Sequence, residues 1–280
     1  MDFKCIRVIK QSSVGVCQIL WTVVLFNDKN DNPFVLSAGA TTSIHVVNWL
    51  TREEVLVLSG HKEGVRCLDI SAEGIIASGS NDRSVKLWNF HEQKFIQTLR
   101  GHKAEVNSVL FVPDTPHLIT ACENNLFRKW NYLTGARLMS ISDYGGSTIL
   151  SLSILPHPVC PVLVVGGTVA EDSFSPLVAV ELWSLGSGKL LGRCCGTRYQ
   201  ISGAYASYVP GQSEAVVVAG GLDSTVRMWK VDADLLLNSA GGEESSYVAD
   251  GSGMHGTDDV DEDEEVDRVR PLALQSGLPR

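Results

Sequence analysis

The chain has no apolar run long enough to cross a bilayer, which takes about 20 residues as a helix. Its longest candidate, residues 14–26, is thirteen residues interrupted by Gln18 and Thr22. Lys4, Arg7 and Lys10 precede that run as in a secretory leader, but Asn27-Asp28-Lys29-Asn30 follow it in place of a small-residue cleavage pattern. The run is therefore read as a strand. Cysteine pairing signals are also missing: the seven cysteines are odd in number and none forms a Cys-x-x-Cys, so neither a disulfide framework nor a zinc ribbon is indicated. Adjacent Cys194 and Cys195 would face opposite sides of a strand and cannot share a metal. Buried thiols in a reducing compartment are expected, hence a cytoplasmic or nuclear setting and no membrane.

Catalytic punctuation is equally scarce. No His-x-His or His-Glu-x-x-His spacing occurs. Gly186-Ser187-Gly188-Lys189 invites a phosphate-loop reading, but Leu190 stands where Ser or Thr is needed and Trp183 where the first Gly is needed. It reads as a hairpin turn, equivalent to Leu133-Thr134-Gly135. No catalytic, metal or cofactor site is predicted.

Cationic charge is missing too. The net charge is −9, yet residues 238–280 carry eleven acidic side chains against three Arg, leaving about −1 for the rest. A nearly neutral body gives no global field for nucleic acid. The acidic segment, with eight carboxylates between Asp258 and Asp267, buries too little apolar surface to fold and is predicted to be a disordered tail after a folded domain of residues 1–237.

What is present is repetition. Residues 60–89 open with Gly60-His61, alternate through Val65, Cys67 and Asp69, turn at Glu73-Gly74, resume as Ile75-Ile76-Ala77-Ser78, turn at Ser80-Asn81-Asp82-Arg83 and close on Val85-Lys86-Leu87-Trp88. Short β-rich runs divided by Gly, Asn, Asp and Ser predict an antiparallel meander. The Trp88 position recurs at Val47, Trp130, Trp183 and Trp229, at spacings of 41, 42, 53 and 46 residues. Propeller repeats run about 40 to 45 residues, so the long interval holds an insertion, placed at residues 168–176. Strand trios are expected within 16–49, 65–88, 106–130, 149–183 and 201–229, with outer strands at 3–10, 54–58, 94–99, 136–141 and 189–194.

These residues resemble the WD40-repeat family, whose repeats begin near Gly-His and end on Trp-Asp; here the last pair is Trp88-Asn89. The resemblance covers roughly residues 2–232 and implies an all-β propeller. Five blades are visible, as a closed five-blade ring in which the N-terminal strand completes the last blade, or as part of a larger ring. It also implies a buried relay of His61, Ser78, Asp82 and Trp88 that gives the indole N–H an acceptor. The third repeat keeps His102, Thr120 and Trp130 but has Asn124 for the Asp. The fifth keeps Asp223 and Trp229, with Ala219 for the Ser; the fourth keeps little beyond Trp183.

By the same resemblance the face bearing the Gly-His and Asp turns binds partners, with Lys62, Asn81, Arg83, Lys103, Glu105 and Glu123 as its candidate residues. The mixed signs suit a protein or peptide better than a phosphate backbone. Neither Trp88 nor Trp130 is followed by the Asp-x-Arg of ubiquitin-ligase receptors. The expected function is a non-catalytic scaffold for protein interactions in a multiprotein complex. Two alternatives stand beside it: an adaptor or chaperone that binds histones or other basic proteins through the acidic tail, and a propeller enzyme of glycosidase type with facing carboxylates in the channel.

Overall fold

The computed structural model describes residues 19–141, 146–155, 161–169, 178–195, 200–208 and 214–232. The expected strand at 3–10, the centre of the insertion and the acidic tail lie outside the described residues. Among those described there is no helix, and nineteen strands form five antiparallel sheets. The first holds β1 (Leu20–Asn27), β2 (Pro33–Gly39), β3 (Ser43–Asn48) and β4 (Glu54–Ser59). The second holds β5 (Val65–Ile70), β6 (Ile75–Ser80), β7 (Val85–Asn89) and β8 (Lys94–Leu99), and the third β9 (Val106–Phe111), β10 (His117–Cys122), β11 (Phe127–Asn131) and β12 (Arg137–Ile141). The fourth comprises β13 (Gly146–Leu155), β14 (Val162–Val169), β15 (Val178–Ser184) and β16 (Leu190–Cys195); the fifth has β17 (Ile201–Tyr208), β18 (Glu214–Gly221) and β19 (Val226–Asp232).

Each sheet is a meander, and its turns explain why. Gly74, Gly135 and Gly188 hold φ of +82°, +77° and +69° at hairpin turns, where a side chain would be strained. The Gly186-Ser187-Gly188-Lys189 stretch is such a turn, with the Gly188 N–H donating to the Ser184 carbonyl at 2.9 Å. Asn48, Asn89 and Asn131 cap the turns between the third and fourth strands of the first three sheets by accepting backbone N–H bonds on their side chains.

The sheets pack face to face in chain order, like the blades of a propeller. Central strands bury both faces; every residue of β6 is buried. Ile76 and Trp88 join Leu36, Ile44 and Val46 between sheets one and two, while Ala77 and Leu87 join Val109, Leu118 and Trp130 between sheets two and three. Phe127 meets Leu163, Val165 and Trp183 in the third interface, and Val164 and Leu182 meet Val217 and Ala219 in the fourth. The Trp at the repeat position thus always packs against the preceding sheet. No core cluster of described residues joins the fifth sheet to the first. Leu25 is 74% exposed on the far side of one and Met228 69% exposed on the far side of the other.

Among the polar links across the second interface, one runs from backbone to a carboxylate. The Phe111 N–H of β9 donates to Asp69 Oδ2 of β5 at 2.7 Å, and the Ile70 N–H donates to Oδ1 at 2.9 Å. Burial outweighs both bonds and pushes the Asp69 carboxyl up to about 6. A carboxyl whose folded pKa exceeds its unfolded value keeps its proton longer in the folded state. Its contribution is therefore greatest below the ordinary carboxylate range and is lost as pH rises toward 6. Wild type should lose up to about 3 kcal/mol through this group between pH 4 and 6.5, and Asp69→Asn should lack that decline. Urea denaturation at stepped pH checks this; parallel stability profiles for the two proteins would refute it.

Candidate partner-binding face

The backbone register builds this face. Each innermost strand carries a β-bulge that leaves a residue out of the ladder, and a bulge turns that side chain away from the regular pleat. The residues skipped are Trp21 in β1, Arg66 in β5, Asn107 in β9, Ser147 and Leu150 in β13 and Ser202 in β17. Four of these six, Trp21, Arg66, Asn107 and Leu150, line one cavity of about 300 Å³. The Arg66 guanidinium lies 5.7 Å from the centre of the Trp21 ring, in cation–π range. It also donates to Asn81 Oδ1 of its own sheet and pairs with Glu105 Oε2 on the loop before β9. Asn107 Nδ2 donates to the Ile149 carbonyl of the fourth sheet at 3.3 Å. Contacts of Arg66 and Asn107 therefore tie four sheets together at the cavity.

Sequence reasoning missed these four residues. Strand periodicity assigns a residue to one face or the other, and a residue expelled by a bulge belongs to neither. The available signal was the adjacent pair Cys67-Leu68, buried on opposite faces after Val65, which breaks simple alternation.

The relay residues surround the same loops. His61 Nδ1 is 2.8 Å from Asp82 Oδ2, His61 Nε2 is 2.8 Å from Ser78 Oγ, and Trp88 Nε1 donates to Ser78 Oγ at 2.9 Å. Asp82 Oδ2 also accepts the Lys62 N–H at 2.9 Å, and Oδ1 accepts the Ser84 hydroxyl at 2.6 Å. Burial works against ionised Asp82, but the bonds from Ser84, Lys62 and His61 hold it down to about 2. Burial lowers His61 despite Asp82, so the imidazole is neutral. Its Nδ1–H donates to the carboxylate and its Nε2 accepts the Ser78 proton, which leaves the serine oxygen free to accept the indole.

The third sheet repeats half of this. Trp130 Nε1 donates to Thr120 Oγ1 at 2.8 Å and His102 Nε2 lies 2.7 Å from the same oxygen. Asn124 stands at the Asp82 position, followed by Asn125 at φ 62° where Arg83 has 64°. Its side-chain oxygen accepts the Cys122 thiol at 2.8 Å rather than reaching His102. In the fifth sheet Asp223 pairs with Arg227 at 2.6 Å and accepts the Thr225 hydroxyl at 2.7 Å; Trp229 is only partly buried.

The fourth sheet departs from the sequence expectation. Trp183 has a hydrogen-bond acceptor that the Ser/Thr pattern does not reveal: fully buried Glu181, whose Oε2 takes the indole N–H at 3.0 Å. Its Oε1 takes the Arg193 Nε–H at 3.0 Å. Residues i and i+2 share a face in a strand, so the acceptor comes from the same strand as the indole.

Of the six face residues, Asn81 and Glu105 are half-buried and brought together by Arg66, while Lys62, Arg83, Lys103 and Glu123 are exposed on the neighbouring loops. The Glu123 N–H donates to the Glu105 carbonyl at 3.0 Å, which fixes the β10–β11 turn against the loop before β9.

Double-mutant cycles distinguish the two indole acceptors. Coupling between Trp88→Phe and Ser78→Ala should be about 1 kcal/mol, and between Trp183→Phe and Glu181→Gln larger, roughly 1.5–3 kcal/mol, because the acceptor is charged. Equal couplings, or a Trp183 coupling near zero, would show that Glu181 is not the effective acceptor.

Comparison with known proteins identifies two of the repeats. The WD domain, G-beta repeat model matches residues 52–89 and 93–131. A bromodomain and WD repeat-containing protein of Dictyostelium discoideum is 30% identical over 156 residues, covering 53% of this chain and 7% of that protein. Periodic tryptophan protein 2 of Arabidopsis thaliana is 25% identical over 233 residues, 83% of this chain and 24% of the relative. Coatomer subunit beta'-2 of Arabidopsis thaliana is 34% identical over 96 residues, 33% of this chain and 10% of that subunit. The chain thus spans at most 24% of the length of these three relatives. The two matched segments end on Trp88-Asn89 and Trp130-Asn131, the indoles seated on Ser78 and Thr120, and the chain therefore carries WD40 repeats.

Proposed function

We propose that the chain is a non-catalytic scaffold that docks protein or peptide partners on the loops around Arg66. The observation that carries this is the Arg66 junction. One guanidinium, stacked on Trp21, pins Asn81 and Glu105 from two different loops, so the exposed charges beside them stand on a rigid base. A preformed polar surface with an aromatic and an arginine at its centre loses little conformational freedom on binding.

Signs on this face are mixed, Lys62, Arg83 and Lys103 against Glu105 and Glu123, which favours a protein partner over a phosphate backbone. A cytoplasmic or nuclear setting belongs to the same proposal; no helix among the described residues is long and apolar enough to cross a membrane. The alternative adaptor or chaperone role rests on the eight carboxylates within Asp258–Asp267 and needs a basic partner. The glycosidase alternative needs two carboxylates facing one space; the cavity at Trp21, Arg66, Asn107 and Leu150 is lined by none, whereas a second cavity of about 360 Å³ has Asp69, Glu73 and Asp114 in its lining.

Replacing Lys62, Arg83 and Lys103 together by Ala should abolish capture of partners in quantitative affinity purification. Melting should stay within about 2 °C of wild type, since exposed side chains contribute little to folding. A control pair on the opposite turns, Glu73→Gln and Glu92→Gln, should retain every partner. If the triple variant keeps them all, or if the control loses the same ones, the face is misplaced.

A further inference from the structure

The strand position two residues before the repeat Trp is charged in four sheets, and three of those charges have an opposite charge at hand. Lys86 lies in the field of Asp82, Glu181 pairs with Arg193 at 3.0 Å, and Arg227 pairs with Asp223 at 2.6 Å. Arg128 in the third sheet is different. Its Nε donates to Ser140 Oγ at 3.1 Å, but its Nη1 is buried with no hydrogen-bond partner. His102 Nδ1, the nitrogen that in His61 meets Asp82, is buried without a partner as well. Both residues are only 6% exposed.

The two unmet atoms belong to neighbouring residues of one sheet. A Cβ on Gly101, the residue before His102, would sit 2.8 Å from Arg128 Nη1. Arg128 also acts on His102 directly: burial and the guanidinium charge together drive the imidazole down to about 3. An unsatisfied buried polar group costs about 1–3 kcal/mol, and a guanidinium that reaches the backbone beside such a histidine defines a position where an anion is stabilised. The site lies one residue beneath the surface, since Gly101, Lys103 and Asn124 around it are exposed.

We propose that the position between Gly101, His102, Asn124 and Arg128 binds a carboxylate from a protein partner, an Asp or Glu side chain that accepts from His102 Nδ1–H and Arg128 Nη1–H once the exposed Asn124 side chain gives way. The neighbouring sheet shows the chemistry. There a single carboxylate, Asp82, accepts His61 Nδ1–H and the Lys62 N–H from the matching turn, with Arg83 at φ 64° as Asn125 is at 62°. In the third sheet that turn carries Asn124, whose oxygen is engaged by Cys122, so the anion must come from outside. Glu105 and Glu123 beside the site disfavour a phosphate-rich polymer and leave room for one carboxylate among mixed charges. The inference rests on the partner face proposed above for the source of the carboxylate, but not for the site.

The test uses the full 280-residue chain, with ¹⁵N-labelled histidine and sodium acetate as probe against sodium chloride at equal ionic strength. The His102 ring resonance should shift saturably with acetate and not with chloride. Asn124→Asp, which supplies the carboxylate internally, should melt at least about 2 °C higher and lose the acetate response. A blocked Gly-Glu-Gly tripeptide should bind at least tenfold more tightly than its Gly-Gln-Gly counterpart, and Arg128→Met should remove that preference. No saturable shift, or a shift retained in Asn124→Asp, overturns the site. Equal binding of the two peptides overturns the side-chain source. Loss of partners in the Lys62, Arg83 and Lys103 variant with the acetate response intact reports on the face separately.

Discussion

Every sheet of this chain has two apolar faces, and neither is hidden by the sheet itself. That constraint organises the molecule. A four-stranded meander with one wet face would alternate apolar and polar residues, but β6 and β10 bury almost every position, a pattern stable only between two neighbours. Packing in chain order follows from the connections as well. The matched repeat at 52–89 begins with β4, the outer strand of the first sheet, and continues through β5 to β7 of the second. The repeat at 93–131 likewise begins with β8 and ends with β11. Each repeat is thus laced covalently through two sheets, and separating neighbours exposes both apolar faces while pulling on one continuous stretch of chain.

A dry interface between sheets then sets a second problem, the indole N–H. Tryptophan brings the area needed to fill the wide part of the wedge, but its donor must be met where no water reaches. The chain solves this with three different acceptors: a serine hydroxyl at Trp88, a threonine hydroxyl at Trp130 and a carboxylate at Trp183. The hydroxyl solutions draw a histidine in behind them, because an accepting hydroxyl must place its own proton somewhere. The carboxylate carries no proton and instead needs a cation, which Arg193 provides.

This difference explains what could be read from the sequence. The repeat spacing was legible because it reflects a backbone event: a β-bulge precedes Val47, Trp88, Trp130 and Trp183 alike, and each of the four pairs with the residue seven positions later. Val47 was placed correctly although it shares no chemistry with tryptophan. His61, Ser78 and Asp82 were legible because their side chains form a closed set whose types are chemically required. Glu181 was hidden, since a charged residue in a strand reads as a solvent-facing position unless its partner Arg193, on the next strand, is already known. Trp21 and Arg66 were hidden for another reason, the expulsion of residues from the ladders of the innermost strands, which periodicity cannot register.

The same bulges connect architecture to the proposed recognition face. Had the innermost strands remained regular, Arg66 would point into one of the two packed interfaces, where a guanidinium would need a buried counter-charge. Displaced from the ladder, it reaches the cavity, rests on Trp21 and still pairs with Glu105 across the gap to the next sheet. A position that would weaken the packing becomes the joint holding two loops in register. The loops themselves are anchored from below by the relay, since Asp82 binds the Lys62 backbone and Ser84 as well as His61. Surface charges mounted this way are positioned by the interior hydrogen bonds of the fold, so the side that needs the relay for stability is also the side on which the proposed partner would meet a fixed set of charges.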